Sequence, residues 1–164
     1  MGLYYNNPML NLEIPGRGEI HLEHLVTDVN GTIAVDGKLI VGVVEYFKRI
    51  GKFLNIHMIT ANTHGQQKFI DEEMELQAII LNQGNETQQK TQYVNELGSD
   101  KVIAFGQGSN DSGMLKEAEI GVSVLSAEGL SLEAFLNSDL VVPDILSGLA
   151  LLENPNRILA SLRK

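Results

Sequence analysis

The chain has 164 residues and a formal net charge of −9, with 43% hydrophobic and 20% charged residues. This length and composition are typical of one globular domain with a sizeable core. The acidic balance argues against a nucleic-acid-binding face, and the absence of cysteine excludes disulfides and thiolate metal sites. No apolar run reaches the length of a membrane span, and residues 1–10 lack the pattern of a signal peptide, so we expect a cytoplasmic protein.

The first predicted elements are a hairpin, a buried strand and a small flap. Residues 9–14 and 19–23 alternate apolar and polar side chains on either side of a Pro-Gly-Arg-Gly turn, which is typical of an antiparallel hairpin. The second arm is expected to run on into an apolar stretch that ends at Asp28, which predicts a buried strand. Asp36-Gly37 then indicates a second, tighter hairpin, the flap.

Strand and helix patterns alternate through the rest of the chain. The predicted helices cover residues 41–50, 63–75, 86–97 and 111–118, and a further helix runs to Leu136 with Ser131 as its cap. The predicted strands cover residues 53–59, 78–81, 101–105, 120–124 and 140–142. Pro143 and Pro155 are expected at the starts of two further helices, with Asn154 as the cap before Pro155. This alternation predicts an α/β fold with helices on both faces of a mostly parallel sheet. We expect one domain over residues 1–164, with residues 1–21 as an N-terminal extension and hairpin.

Polar side chains stand where several predicted strands end. In open α/β sheets, ligands bind outside the carboxyl ends of the strands, so these side chains are expected to line one crevice. They are Asp28 with Asn30, Gly31 and Thr32, then Thr60, then Lys90 on a helix, then the segment 106–111. Each also has a structural explanation, as a cap or as a solvated helix residue, and Lys101 is a weaker rival for the role of Lys90.

The order and context of these motifs resemble the haloacid dehalogenase superfamily of phosphotransferases, from Leu22 onward. Residues 106–115, Gly-Gln-Gly-Ser-Asn-Asp-Ser-Gly-Met-Leu, are similar to the hinge motif of P-type ATPases and to the matching segment of phosphoserine phosphatases. The Asp-Val-Asn-Gly-Thr loop, Thr-Ala-Asn-Thr-His-Gly and the closing Asn-Pro-Asn-Arg also resemble the soluble P-type ATPase-like proteins. The resemblance implies a Rossmann-like three-layer αβα sandwich with an N-terminal hairpin, a small flap and no cap domain.

The resemblance also implies roles for individual residues. Asp28 would attack phosphorus and become an aspartyl phosphate, and Mg²⁺ would be the cofactor. The implied catalytic residues are Asp28, Asn30, Thr60 and Lys90. The implied phosphate-binding residues are Thr60, Asn110, Gly31 and Lys90, and the implied metal ligands are Asp28, the Asn30 carbonyl, Gln107 and Asp111, which could instead orient Lys90.

Three amides depart from the superfamily pattern. Most of its phosphatases have an acid two residues after the nucleophile, where this chain has Asn30, and an Asp ligand to Mg²⁺, where it has Gln107. Asn62 stands where close relatives carry Asp. The sequence therefore predicts a slow phosphohydrolase acting on a small phosphorylated molecule. The alternative is a phosphate-binding or regulatory module that has lost efficient chemistry.

The remaining expectations concern assembly and the histidines. A site without a cap is often covered by a neighbouring subunit, so we expect a homo-oligomer, and the flap resembles that of the tetrameric 3-deoxy-octulosonate 8-phosphate phosphatase. We expect no nucleic-acid or membrane partner. His21 and His24 are predicted to have structural roles and His57 to pack in the sheet, while a place for His64 at the site is left open.

Overall fold

The computed structural model describes residues 9–62 and 65–164, which form ten strands and seven α-helices. The strands are β1 (Leu10–Ile14), β2 (Gly18–Leu22), β3 (His24–Asp28), β4 (Ala34–Val35), β5 (Lys38–Leu39), β6 (Asn55–Thr60), β7 (Ile79–Ile80), β8 (Val102–Gly106), β9 (Ile120–Val124) and β10 (Leu140–Val142). The helices are α1 (Val43–Ile50), α2 (Gln67–Met74), α3 (Glu86–Leu97), α4 (Ser112–Glu117), α5 (Leu132–Leu136), α6 (Ile145–Glu153) and α7 (Asn156–Leu162).

Six of the strands form one parallel sheet, in the spatial order β10-β9-β8-β3-β6-β7. Helices α1 and α6 pack together on one face, where Phe47, Leu149 and Phe105 belong to one apolar cluster. Helices α3, α4 and α5 form the other layer, where Val94 and Met114 belong to a second cluster. The α/β class, the parallel sheet and the three layers predicted from the sequence are confirmed. In the ranges that the structure describes, no helix is long and apolar enough to cross a membrane.

The N-terminal hairpin and the flap form as predicted, and each is a small sheet of its own. Strands β1 and β2 pair antiparallel, and β4 pairs with β5 around Asp36-Gly37. The expectation that the second arm of the hairpin continues into the buried strand is wrong, because β2 ends before Glu23 and does not join the large sheet. The hairpin instead adds Leu12, Ile20 and Leu22 to the larger apolar cluster, and β1 lies against α7.

Several helix ends differ from the predictions. Helix α2 begins at Gln67 rather than Thr63, which lies with His64 outside the described residues. The predicted helix over 111–118 is shorter, since a 3₁₀ turn precedes α4.

Near the C-terminus, Pro155 stands at the start of α7 as predicted, whereas the predictions for Pro143 and for the cap Asn154 are wrong in detail. Pro143 does not open α6, because Asp144 is the cap and its side chain accepts a hydrogen bond from Ser147 N. Asn154 does not cap α7, because its side chain donates to Ala150 O of the preceding helix.

Three of the four histidines are placed by the structure in non-catalytic surroundings. His21 is exposed and bonded to Asn11, whereas His24 Nδ1 lies 3.1 Å from His57 Nε2. His57 Nδ1 in turn lies 2.8 Å from the hydroxyl of Tyr93 on α3. Burial, and then the neighbouring His24, lower the pKa of His57 to about 4, so His57 is neutral at pH 7. Its contact with Tyr93 links α3 to the sheet.

Candidate active site

The centre of the crevice is a buried lysine held between two carboxylates. Strand β3 lies between β8 and β6, so Asp28 ends the central strand of the crevice. Lys90 reaches it from α3, and its Nζ lies 2.6 Å from Asp28 Oδ1 and 2.6 Å from Asp111 Oδ1. The exposed fraction is 0% for Lys90, 0% for Asp111 and 6% for Asp28. Lys101, the rival, lies elsewhere and pairs with Glu23.

The electrostatics of this triad favour one more positive charge. Burial and the nearby Asp111 raise the pKa of Asp28 to about 7, and Lys90 only partly offsets them. Burial by itself lowers the pKa of Lys90, but the two carboxylates outweigh it and raise that pKa. One ammonium between two carboxylates leaves the cluster net negative in a low-dielectric setting. A divalent cation nearby would stabilise the ionised form of Asp28.

Asp111 fixes the loop that follows β8 as well as Lys90. Its Oδ2 accepts hydrogen bonds from Gln107 N at 2.8 Å and Gly108 N at 2.9 Å. A Cβ at Gly106 would stand 2.6 Å from Asp111 Cβ, so only glycine allows the loop to close this tightly. Both oxygens of Asp111 are thus engaged by protein donors, which supports the orienting role over that of a metal ligand.

The loop after β3 and the end of β6 meet beside Asp28. Asn30 Nδ2 donates to Thr60 Oγ1 at 3.3 Å, and Thr32 Oγ1 donates to Asp28 Oδ2 at 3.3 Å. Asn62 has a φ of 53°, which asparagine tolerates better than most residues, and its N–H donates to Thr60 Oγ1 at 2.9 Å. The side chains of Asn30 and Thr60, predicted to act together, are therefore in contact.

Asn110 and Gln107 make contacts that the sequence did not indicate. Asn110 Nδ2 donates to Glu86 Oε2 at 2.8 Å, so the predicted phosphate donor is held by the first turn of α3. Gln107 Nε2 donates to Gly129 O at 2.8 Å, which ties the loop after β8 to the turn after β9. A Cβ at Gly31, whose φ is 81°, would overlap Gln107 Oε1, so Gln107 covers the loop after Asp28.

The donor set fits a hard divalent cation. The residues predicted to face it offer oxygen only, from the Asp28 carboxylate, the Asn30 carbonyl and the Gln107 amide. Mg²⁺ prefers such ligands and keeps several waters, so it needs only one or two protein carboxylates. Within 9–62 and 65–164, no group of three or more His, Asp or Glu side chains is arranged to hold a metal, so an all-carboxylate cage is not present there.

Two carboxylates near the site were missed by the sequence reasoning. Glu86 stands four residues before Lys90 on α3, a spacing that places both on one helix face and could have indicated it. Glu128 Oε2 would lie 3.0 Å from a Cβ at Gly31. No sequence signal predicts this approach, because Glu128 lies on a loop far along the chain.

The comparisons with known proteins agree with this architecture. Residues 74–134 match the family model of the haloacid dehalogenase-like hydrolases. An uncharacterized protein of Methanocaldococcus jannaschii is 40% identical over 84 residues, which are 49% of this chain and 90% of that protein.

Two solved structures give the same picture of the fold. A hydrolase of this superfamily from Legionella pneumophila has a TM-score of 0.62 at 12% identity, over 86% of this chain and 87% of that one. The 3-deoxy-D-manno-octulosonate 8-phosphate phosphatase of Moraxella catarrhalis, solved with magnesium and phosphate, has a TM-score of 0.60 at 16% identity, over 87% of this chain and 94% of that one. The chain belongs to the haloacid dehalogenase superfamily of hydrolases, and the described residues show no cap domain.

Proposed function

We propose that the protein is a Mg²⁺-dependent phosphohydrolase that acts on a small phosphorylated molecule through an aspartyl phosphate at Asp28. The observation that carries the proposal is the buried Lys90, bonded at 2.6 Å to both Asp28 and Asp111 at the carboxyl end of the central strand. Removing three charged groups from water costs desolvation free energy, so a buried triad is weak evidence for a purely stabilising role. Perturbed ionisable groups in a crevice are typical of active sites.

The chemistry follows from where the groups lie. A carboxylate oxygen of Asp28 attacks phosphorus, the bond from phosphorus to the leaving oxygen breaks, and the leaving oxygen takes a proton from solvent water. A second water then attacks the phosphorus of the aspartyl phosphate and gives up a proton to solvent. The bond between phosphorus and the Asp28 oxygen breaks, which releases inorganic phosphate and restores the carboxylate. Lys90 and the Thr60 hydroxyl would stabilise negative charge on the transferring oxygens, and Asp111 keeps Lys90 in place. Bound Mg²⁺, held by Asp28, the Asn30 carbonyl and Gln107, would supply further positive charge.

Both half-reactions should lack general acid–base catalysis by residue 30, because this residue is an asparagine. Asn30 cannot give a proton to the leaving oxygen or take one from the attacking water, although its side chain lies at Thr60 Oγ1, beside the nucleophile. General acid–base catalysis is worth roughly 10²–10⁴-fold, so ordinary phosphate esters should turn over slowly.

A second candidate is a phosphate-binding or regulatory module on the same fold. The contact between Asn110 and Glu86 favours it, since a phosphate donor already bonded to a carboxylate is poorly placed to hold an anion. The complete triad favours the enzyme, because a module that binds phosphate without chemistry has no need of a nucleophile beside a lysine.

The test is a screen of phosphate esters with Mg²⁺, in which we expect measurable release of phosphate. Asp28→Asn should abolish the release, because the amide is not a nucleophile. Asp100→Asn is the matched control, since Asp100 is exposed just before β8, at the opposite end of the strand from the site, and should leave turnover unchanged. Equal turnover in wild type and Asp28→Asn would contradict the proposal.

We also propose that the protein is a cytoplasmic homo-oligomer in which the flap contributes to the interface. Val41, directly after the flap, is 92% exposed, and an apolar side chain there suits a subunit contact. Light scattering at micromolar concentration should give more than one subunit, and a monomer would count against this.

A further inference from the structure

The turn between β9 and α5 carries an acidic side chain to the loop that follows Asp28. Gly129 N donates to Ser126 O at 2.9 Å, and Glu128 N lies 3.0 Å from Ser126 Oγ, so the turn has a defined shape. The bond from Gln107 Nε2 to Gly129 O, at 2.8 Å, fastens this turn to the loop after β8. Glu128 is therefore presented by a turn that is anchored on the candidate active site.

Two oxygens converge on the open face of Gly31. A Cβ at this position would overlap Gln107 Oε1 and would stand 3.0 Å from Glu128 Oε2. Both oxygens thus lie against the glycine that directly follows Asn30, the residue whose backbone carbonyl is proposed to face Mg²⁺. A side chain at residue 31 would displace them, and the φ of 81° also restricts the position to glycine.

The length of the side chain at position 107 explains why these oxygens meet. A glutamine is one methylene longer than the aspartate that the superfamily usually has there, and its amide group offers both a donor and an acceptor. The donor holds Gly129, and the acceptor faces Gly31. An aspartate at 107 would supply a charge of its own but has no donor with which to hold the turn.

We propose that Glu128 supplies the carboxylate charge of the Mg²⁺ site that residue 107 lacks, and that Gln107 is the positioning residue that brings it there. This inference rests on the proposed function, since it assumes that Mg²⁺ binds beside Asp28. A carboxylate near a hydrated Mg²⁺ acts either directly or through the waters that the ion keeps. The negative charge that an aspartate at position 107 would carry is then supplied by Glu128 and is not lost from the site.

The experiment is calorimetric titration of the full-length protein with MgCl₂ at constant ionic strength. We expect Glu128→Gln to weaken Mg²⁺ binding roughly tenfold, the lower end of the effect seen when partners of metal ligands are changed. Glu133→Gln is the matched control, because it removes the same charge from an exposed residue on the adjacent α5 and should change the affinity less than about twofold. Adding Gln107→Asp to Glu128→Gln should recover most of the lost affinity.

The outcomes separate this inference from the proposed function. If wild type binds Mg²⁺ and Glu128→Gln binds it as well as Glu133→Gln does, Glu128 has no part in the site, while the proposed function stands. If the double variant stays as weak as Glu128→Gln, the two positions do not substitute for each other and the inference is wrong. If wild type shows no Mg²⁺ binding at all, both the inference and the metal dependence of the proposed function are overturned.

Discussion

Replacing Lys90 by methionine should lower the free energy of unfolding by about 3–5 kcal/mol at neutral pH. Lys90 has no exposed surface, and its ammonium lies 2.6 Å from one oxygen of Asp28 and 2.6 Å from one oxygen of Asp111. Those two oxygens are at most twice that distance apart. Without the lysine, two buried carboxylates would face each other with no positive charge between them.

Urea denaturation followed by circular dichroism measures this effect, and Lys101→Met is the control. Lys101 also pairs with a carboxylate, Glu23, at 3.1 Å, but its side chain is 44% exposed. A surface pair of this kind contributes at most about 1 kcal/mol. A loss in Lys90→Met no larger than that in Lys101→Met would mean that the triad is not a tightly coupled charge cluster.

Asn30→Asp should accelerate the hydrolysis of phosphate esters by up to about 100-fold. The new carboxyl group can protonate the leaving oxygen and later activate water, which asparagine cannot do. The side chain should keep its place, because aspartate is nearly isosteric and can accept a hydrogen bond from the Thr60 hydroxyl that Asn30 now contacts. Repulsion between the new carboxylate and Asp28 or phosphate should keep the gain below the full general-acid effect of roughly 10⁴-fold.

The measurement is the steady-state rate of ester hydrolysis by Asn30→Asp, and Asn62→Asp is the control. Asn62 also bonds to Thr60 Oγ1, but through its backbone N–H, while its side chain accepts from Gln67 N at the start of α2. Asn62→Asp therefore adds the same charge nearby without placing an acid at the leaving group. Equal rates in the two variants would show that position 30 does not reach the reacting oxygen.

The fold and the meeting of the main site residues could be predicted because they follow from the strand pattern. Residues at the carboxyl ends of neighbouring parallel strands must be close together, which brings Asp28, Thr60 and the loop after β8 to one edge. The role of Lys90 is harder to predict, since a lysine on a polar helix is usually solvated. Only the family resemblance distinguished Lys90 from an ordinary surface lysine, and its complete burial could not be predicted from the periodicity of the helix.

What could not be predicted depends on contacts between distant parts of the chain. The bond between Asn110 and Glu86 joins the 3₁₀ turn before α4 to α3, and the approach of Glu128 to Gly31 depends on how one turn folds over another loop. Local rules also competed near the C-terminus, where Asn154 was expected to cap the following helix. Its side chain instead satisfies Ala150 O of the preceding helix, a choice that the sequence alone does not decide.

Phosphorylation of Asp28 is tested most directly by mass spectrometry of the protein after incubation with acetyl phosphate and MgCl₂ and rapid acid quenching. We predict a phosphorylated peptide with the modification on Asp28, present in wild type and Asp100→Asn and absent from Asp28→Asn. The adduct should accumulate in wild type and be shorter-lived in Asn30→Asp, because only the latter has an acid to speed its hydrolysis. An unmodified Asp28 in both wild type and Asn30→Asp, with no Mg²⁺-dependent turnover in either, would contradict the proposed aspartyl-phosphate mechanism.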